Sequence, residues 1–382
     1  MANNDGRDAV RRDPSQQLAV NRVREALAGE GYPWVAAENP ITQLSTKDRV
    51  IRLGVPLPDN DDEIRGILDA AHGTRQLHVT AAAAAAGLPS SFDARNVGGA
   101  NYVTPVKNQG NCGSCVAFGS VAALETTAAF TRRVPGMKLD LSEAHLFYTH
   151  GGSVGRTCAN GWYPVPALTM SRDKGVTFED YFPYTPGNNG GHTLNPDFPN
   201  RLAKPVDVRD VTGDPAAIKQ QIVTYGSTTA CFYVYADFFS YRSGVYKHVS
   251  GDLQGGHCVA LVGYDDAQSC WIAKNSWGPE WGDNGYFRIG YGECGIETWQ
   301  CAGTSGVNLR AWTGLTKVVG LWSNDAARNA FAYLDSTGWV RLTSDSDIAT
   351  TSMLAECISA KGAGRQVNAF TDNGAVSDIY VY

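Results

Sequence analysis

The chain has 382 residues, of which 43% are hydrophobic and 18% are charged, and its formal net charge is −6. This length suffices for two or three structural units with a sizeable buried core. The mild acidic balance gives no support to nucleic-acid or anionic-membrane binding. No apolar run approaches the ~18 residues of a membrane-spanning helix.

The N-terminus and the cysteine count bear on the compartment. The first 17 residues are polar and lack the apolar core of a signal peptide. The chain has nine cysteines. One reactive thiol with several disulfides would explain this odd count, and so would a set of buried free thiols in a reducing compartment.

The N-terminal third contains two short helical patterns. Residues 14–29 place Val20, Val23 and Leu27 at helical spacing, and a second helical segment is predicted around residues 64–71. The run 79–89 contains six consecutive alanines before Gly-Leu-Pro. It is compatible with a helix or a linker, and we interpret it as a boundary.

From residue 88 to residue 304 the chain is rich in glycine and aromatic residues and carries eight of the nine cysteines. Residues 115–130 predict a buried helix, because apolar side chains surround it almost completely. Short β-branched and aromatic runs follow, separated by turns, and predict an antiparallel sheet or barrel. A helix followed by strands indicates an α+β fold in two halves.

The tail contains a weak internal repeat. Residues 328–342 and 365–381 each show an alternating strand, a turn with Asp and Gly, and a second strand. Two such hairpins predict a small β module at residues 315–382. Its role is open between a structural cap and a binding module for a glycan or a protein.

The segment Gln109 to Cys115, QGNCGSC, contains two cysteines three positions apart, a pattern that several kinds of site share. No second C-x-x-C pair exists in the chain, which argues against a structural zinc site. The Pro- and Gly-interrupted stretch before it is not the buried strand of a thioredoxin-like redox unit. The remaining interpretation makes Cys115 a nucleophile at a helix N-terminus, where orphan N–H groups stabilise a thiolate.

Two later residues complete this interpretation. His257 lies 142 residues after Cys115, at the head of a predicted strand, and could act as its base. Asn275 follows 18 residues after His257, and its amide could hold the imidazole in the correct tautomer.

The order Cys, His, Asn, with Q-x-x-C-G-S-C, then G-H-x-V, then N-S-W-G-x-x-W-G-x-x-G-Y, resembles the papain family of C1-type cysteine peptidases. The matching motifs span about residues 88–301. The resemblance implies a two-lobed fold with a helical lobe and an antiparallel, barrel-like lobe. It also implies peptide-bond hydrolysis through a thioester without metal or organic cofactor.

The resemblance assigns a role to individual residues. Cys115 is the expected nucleophile, His257 the general base and acid, Asn275 the residue that orients His257, and Gln109 an oxyanion-hole donor beside the Cys115 N–H. A Cys115 thiolate and a His257 imidazolium are expected to form an ion pair. Trp277 is expected to shield the pair of His257 and Asn275 from water. Cys112 resembles a structural half-cystine, and the resemblance points to Cys158 as its partner.

Residues expected at the substrate cleft include two departures from the family pattern. Val116 follows the nucleophile where the family has an aromatic residue, and Trp162 occupies the place of a glycine that lets the substrate backbone approach. We expect reduced activity from the first and a reshaped cleft edge from the second. Trp299 is expected at the floor of the pocket for the second residue before the scissile bond, which would make that pocket shallow. The expected substrate-binding set is Gly161, Trp162, Tyr163, Pro164, Trp277, Trp281 and Trp299.

The segment before residue 88 resembles a family propeptide that lacks the long charged helix. We therefore expect residues 1–87 to form a pro-region that blocks the cleft of a peptidase domain at residues 88–304. Some segments resemble cathepsin B, but no His-His pair occurs and the loop 186–196 offers only His192, so endopeptidase activity is the expectation.

Two other functions stay open at this point: a papain-fold binding protein with an occluded cleft, and a thiol-dependent acyl transferase. The implied partners are a peptide or protein substrate and the pro-region itself. The implied disulfide favours a secreted or cell-envelope protein, although no signal peptide is visible.

Overall fold

A computed structural model describes residues 14–84, 87–187, 191–324, 329–342, 346–372 and 374–382. The polar start of the chain, the last two alanines of the alanine run, part of the loop 186–196 and the first residue of the first tail repeat lie outside the described residues. None of the described helices is both long and apolar enough to cross a bilayer.

Seven α-helices occur among the described residues, together with several short 3₁₀ segments and one π-helical turn at His145–Gly151. The helices are α1 (Pro14–Glu30), α2 (Thr46–Val50), α3 (Asp61–Ala84), α4 (Cys115–Arg132), α5 (Pro164–Lys174), α6 (Pro215–Tyr225) and α7 (Asp347–Ala363).

The described strands fall into three sheets. A two-stranded sheet pairs β1 (Val35–Ala36) with β7 (Tyr241–Ser243). The second sheet contains β2 (Ser91–Asp93), β5 (Arg209–Asp210), β6 (Thr228–Tyr235), β8 (Val245–Tyr246), β9 (Leu253–Asp265), β10 (Cys270–Lys274), β11 (Tyr286–Gly290) and β12 (Cys301–Gly303). The third contains β3 (Val176–Thr177), β4 (Leu202–Pro205), β13 (Val307–Trp312), β14 (Thr316–Ser323), β15 (Ala330–Leu334), β16 (Gly338–Leu342), β17 (Gln366–Asp372) and β18 (Ala375–Val381).

The second sheet forms the β lobe and has the order β5-β12-β6-β9-β10-β11-β8, with β2 added on β9. Its pairings are antiparallel except for β8 with β11. Helix α4 packs across β9, and its first fifteen residues are all buried. A nearly all-apolar helix is stable only in such a site, because every face meets protein. The α+β papain-like fold expected from the sequence is confirmed.

The N-terminal helices differ in length from the prediction. Helix α1 matches its predicted range, and Val20, Val23 and Leu27 are buried as their spacing requires. Helix α3 begins three residues before the predicted segment and continues through Ala84, so most of the alanine run is helical. Alanine has the highest helix propensity, which favours this extension once a helix has started.

The C-terminal tail contains the two predicted hairpins, β15 with β16 and β17 with β18. Between them lies helix α7, which the repeat did not predict. The N-cap of α7 is Ser346, whose Oγ accepts a hydrogen bond from Ala349 N at 3.4 Å. Met353, Cys357 and Ala360 point from α7 into a separate small core under the strands.

The tail is also continuous with the helical lobe. Strand β13 pairs with β17 on one side and with β4 on the other, and β4 pairs with β3. Hydrogen bonds therefore run without interruption from the tail sheet to strands that flank α5. The tail is attached as part of a shared sheet rather than through a flexible linker.

Candidate active site

Cys115 is the first residue of helix α4 and is fully buried. The loop before it is fixed by the Cys112–Cys158 disulfide, with an S–S distance of 2.03 Å, and by a hydrogen bond from Gly113 N to Cys158 O at 3.0 Å. The disulfide implied by the resemblance is thus present. It holds the helix start rigidly, so that the thiol keeps its place beside the orphan N–H groups.

His257 and Asn275 come together through strand pairing. His257 lies in β9 and Asn275 directly follows β10, which pairs antiparallel with β9. His257 Nε2 lies 2.8 Å from Asn275 Oδ1. The Trp277 ring lies 4.8 Å from the His257 ring, with both residues buried. The amide oxygen therefore orients the imidazole, and the indole keeps water away from their hydrogen bond.

Gln109 is fully buried at the same site. Its Nε2 donates to Cys112 O at 2.8 Å and to Arg52 O at 2.9 Å, while its Oε1 accepts from Ser276 Oγ at 2.7 Å. Because its oxygen is held by Ser276, the amide must present its N–H groups to the site. The Arg52 carbonyl oxygen thus occupies one N–H group of the Gln109 amide.

The N-terminal segment 52–56 covers the site. Gly54 N donates to Cys115 Sγ at 3.3 Å, and Gly54 O accepts from Trp162 N at 2.9 Å. Val55 N donates to Gly256 O at 3.0 Å. These are the main-chain contacts of an extended strand laid into a cleft. We call residues 52–56 the covering segment.

Burial shifts the pKa values of the two reactive groups in the covered site. Burial raises the pKa of the Cys115 thiol to about 12, with a smaller contribution from Cys258. Burial also lowers the pKa of His257 to about 4, against the opposing effect of its hydrogen bond to Asn275. Both groups are therefore neutral near pH 7 in the covered site. In the covered site, burial therefore works against the thiolate–imidazolium pair expected from the resemblance.

Two tryptophans expected at the cleft surface lie differently. The Trp162 side chain is 1% exposed and its ring packs toward Gly151, while its main-chain N–H donates to Gly54 O of the covering segment. Trp281 is fully buried beneath Trp277 and donates its Nε1–H to Phe239 O at 3.1 Å. The structure gives it a packing role and no surface in the cleft.

The other expected cleft residues lie close to the covering segment. Tyr163 donates its hydroxyl to Pro56 O at 3.1 Å, and Pro164 starts helix α5 immediately after it. Gly161 has φ 58°, and a Cβ there would lie 1.9 Å from Gly54 O. Only glycine satisfies both the left-handed conformation and this close approach.

The Trp299 ring lies beside Gly256, next to the covering segment. It stacks on Tyr233 with centroids 4.4 Å apart, and a Cβ on Gly256 would clash with the ring at 2.3 Å. Val55 of the covering segment lies against the same glycine. Sequence reasoning missed Tyr233 and Gly256 here, because only the pairing of β6 with β9 brings them together.

Ser276 was also missed, although it stands in the N-S-W-G motif beside Asn275. Its position next to Asn275 in this motif was the signal that could have indicated a contact with the site. No group of three or more His, Cys, Asp or Glu side chains that could hold a metal ion occurs in the described part of the chain.

Comparisons with known proteins agree with this geometry. Residues 88–304 match the family described as "Papain family cysteine protease". The chain is 37% identical over 221 residues to Cathepsin B-like CP3 of Giardia intestinalis, an alignment covering 55% of this chain and 72% of the relative. It is 37% identical over 222 residues to Pro-cathepsin H of Mus musculus, covering 54% of this chain and 62% of the relative.

Solved structures with a similar fold include procathepsin forms. ProCathepsin B S9 from Trypanosoma congolense has a TM-score of 0.58 at 23% identity, covering 75% of this chain and 97% of that one. Procathepsin L 3 of Tenebrio molitor larval midgut has a TM-score of 0.59 at 23% identity, covering 76% and 89%. With a matching family over more than half its length and a cathepsin-like relative largely covered, the chain belongs to the papain family of cysteine proteases.

Proposed function

We propose that the protein is the zymogen of a cysteine endopeptidase, with residues 1–87 as its pro-region and residues 88–304 as its peptidase domain. One observation carries this proposal: the covering segment contacts the nucleophile and the oxyanion donor at once. Gly54 N binds Cys115 Sγ, and Arg52 O binds Gln109 Nε2. A segment in that position excludes substrate and water from the reacting atoms.

Once the segment leaves, solvent and substrate reach Cys115 and His257. The thiol then transfers its proton to the imidazole, and the thiolate attacks the carbonyl carbon of the scissile bond. The resulting oxyanion accepts hydrogen bonds from the Cys115 N–H and from Gln109 Nε2, the donor now occupied by Arg52 O. His257 then gives this proton to the leaving amine. In the second half of the reaction, His257 removes a proton from a water molecule, which attacks the thioester carbonyl, and Cys115 is released.

Endopeptidase action is supported by the main-chain contacts of the cleft. Trp162 N and Gly256 O both bind the covering segment through its backbone, as they would bind the middle of an extended polypeptide. The Trp299 ring, which stacks on Tyr233, lies beside Gly256 and would limit the depth of a pocket there. We therefore propose a preference for small side chains in this pocket.

An oxidising compartment is the proposed setting. The Cys112–Cys158 disulfide forms the loop that positions the nucleophile, and such structural disulfides persist outside reducing compartments. Among the partners expected from the sequence, the pro-region contacts the site through Gly54 and Arg52 of the covering segment. The tail at residues 315–382 is proposed as a structural extension of the helical lobe through β13.

The test is intact-mass spectrometry of purified protein held under reducing conditions across about pH 4 to about pH 7. Unmodified protein is expected to lose a fragment ending near the alanine run, while the Cys115→Ala variant stays intact. Cys357→Ala is the matched control, since Cys357 is a buried free thiol in α7, outside the site. The control should be processed normally. Identical processing of the Cys115→Ala variant would contradict a working nucleophile.

A further inference from the structure

Two free thiols that the proposed mechanism does not use lie directly behind His257. Cys231 in β6 and Cys258 in β9 are cross-strand partners in the register, and both are fully buried. His257 and its own cross-strand partner Phe232 face the opposite side of this strand pair, with rings 5.8 Å apart. The two cysteines therefore share one face, because side chains alternate along a strand.

The hydrogen-bond pattern shows which kind of pair this is. Cys231 N donates to Gln300 O at 2.9 Å, on the side of β6 away from β9. Two residues on, Tyr233 N donates to Cys294 O, also away from β9. Gly256, opposite Tyr233, likewise turns its carbonyl away from β6, toward Val55 N. Cys231 and Cys258 thus form a non-hydrogen-bonded pair.

Non-hydrogen-bonded pairs bring the two Cα atoms to about 4.5 Å, with the side chains close together. Disulfides span Cα separations of about 4.4–6.8 Å. The existing Cys112–Cys158 bridge has a Cα separation of 4.5 Å. The strand geometry therefore already holds Cys231 and Cys258 at a bridging distance. Burial raises the pKa of Cys231, and a hydrogen bond between its thiol and that of Cys258 raises it further.

Other pairings of these two thiols are less favourable. Cys301 pairs in register with Ala230, so its side chain lies on the face opposite Cys231, where its Sγ meets Ile296 O at 3.2 Å. Burial, followed by the charge of Cys258, raises the pKa of Cys115, but the Cys115 Sγ accepts a hydrogen bond from Gly54 N. Cys258 Sγ itself lies against Gly119 of α4, which supplies no competing group.

We propose that Cys231 and Cys258 are a site of covalent modification and form a second, cross-strand disulfide when the chain folds in an oxidising compartment. The oxidant is a low-molecular-weight disulfide such as oxidised glutathione. One cysteine thiolate attacks it and releases one small thiol; the second cysteine thiolate then attacks the mixed disulfide and releases the other. Two protein thiols are oxidised and one small disulfide is reduced to two thiols. Full burial in the native state confines the attack on the small disulfide to the folding chain, and the pairing of β6 with β9 then brings the second thiolate to the mixed disulfide.

This disulfide would join β9, which carries His257, to β6, which carries Tyr233. It would also convert the Cys258 thiol into part of a cystine, so that Cys258 could not form a disulfide with Cys115. The inference goes beyond the proposed function and does not depend on it, because the cross-link can form in a catalytically inactive chain.

The test uses the whole chain carrying Cys115→Ser, refolded in a buffer of reduced and oxidised glutathione. Free thiols are then alkylated, and the protein is measured by intact mass and by non-reducing peptide mapping. We expect two cystines, with four hydrogen atoms lost relative to the reduced chain, and a peptide pair joining Cys231 to Cys258. Recovery of folded protein with Cys231 and Cys258 both alkylated, or joined to other cysteines, would overturn the proposal.

A second measurement tests whether the cross-link stabilises the folded chain. The same chain with the additional change Cys231→Ala is compared with its parent by thermal unfolding after oxidative and after reductive folding. The parent is expected to gain a few degrees more from oxidation than the Cys231→Ala chain, since only the parent can close the second bridge. An equal gain in both chains would contradict the bridge. Cys270→Ala serves as the control, because Cys270 faces Asp265 and Gly290 in the register and should leave the gain unchanged.

Discussion

The carbonyl oxygen of Arg52 accepts a hydrogen bond from Gln109 Nε2 at 2.9 Å, 57 residues away in the chain. This contact joins the pro-region to the group that we propose as an oxyanion donor. The carbonyl oxygen of the covering segment and the proposed oxyanion would therefore accept from the same Gln109 N–H group. The mature enzyme regains the donor only when the covering segment leaves.

The role of Gln109 predicts a loss in the chemical step. In the mature enzyme, Gln109→Ala is expected to lower kcat by about 100-fold or more with little change in KM, because the donor acts mainly in the transition state. Steady-state kinetics with a fluorogenic peptide measure this. Gln220→Ala is the control, since Gln220 is exposed on α6, where its Nε2 donates to Thr224 Oγ1. A rise in KM alone would assign Gln109 to ground-state binding.

Gly54 is predicted to be essential for latency. A Cβ at this position would lie 1.9 Å from Gly113 O, so Gly54→Ala must displace the covering segment. We expect the uncleaved variant to react several-fold faster than the unmodified zymogen with a peptidyl probe that alkylates Cys115. Gly66→Ala is the matched control, since a Cβ at Gly66 in α3 meets nothing within 4 Å. If both variants stay latent, the close contact at Gly54 does not maintain inhibition.

Trp299 is predicted to limit the pocket beside Gly256. Trp299→Ala should raise kcat/KM for substrates with Leu or Phe at the second residue before the scissile bond, relative to Val, by about tenfold. A peptide library measured on mature enzyme reports this ratio. Trp312→Ala removes an exposed tryptophan in β13 and should leave the profile unchanged. An unaltered profile for Trp299→Ala would refute the shallow pocket.

A buried histidine pair predicts loss of stability in acid. The rings of His145 and His150 lie 4.4 Å apart, and burial, followed by the charge of His150, lowers the pKa of His145 to about 3. Its unfolded pKa is about 6.5, so between these values the unfolded chain binds a proton that the folded chain excludes. Stability therefore falls as the pH drops through this window.

The measurement for this prediction is the denaturation midpoint at about pH 7 and about pH 5 in the Cys115→Ala background. His145→Asn should reduce the acid-induced loss by roughly 2 kcal/mol, because Asn does not titrate and can still accept from Thr177 N. His72→Asn, at an exposed position of α3, should leave the loss unchanged. Equal pH dependence in all three chains would contradict a role for His145.

The sequence by itself determined the family and the order of the reactive groups. The motif around Cys115 predicted a nucleophile at a helix start, and the motifs around His257 and Asn275 predicted its partners. Such local signals are readable because each depends on residue type within a few positions: a thiol before an apolar helix, or a glycine-flanked histidine that opens a strand. Both tail hairpins were predicted for the same reason, from alternation and turn residues.

Tertiary structure decided what spans long separations or depends on the direction of a side chain. The sequence did not predict the surroundings of Trp162, and the structure places its ring against Gly151. The pairing of Cys231 with Cys258 requires the register of two strands. The contact of Arg52 with Gln109 requires a segment to cross from one region to another. Residue spacing carries no information on such contacts, because burial and strand register arise only when the whole chain has folded.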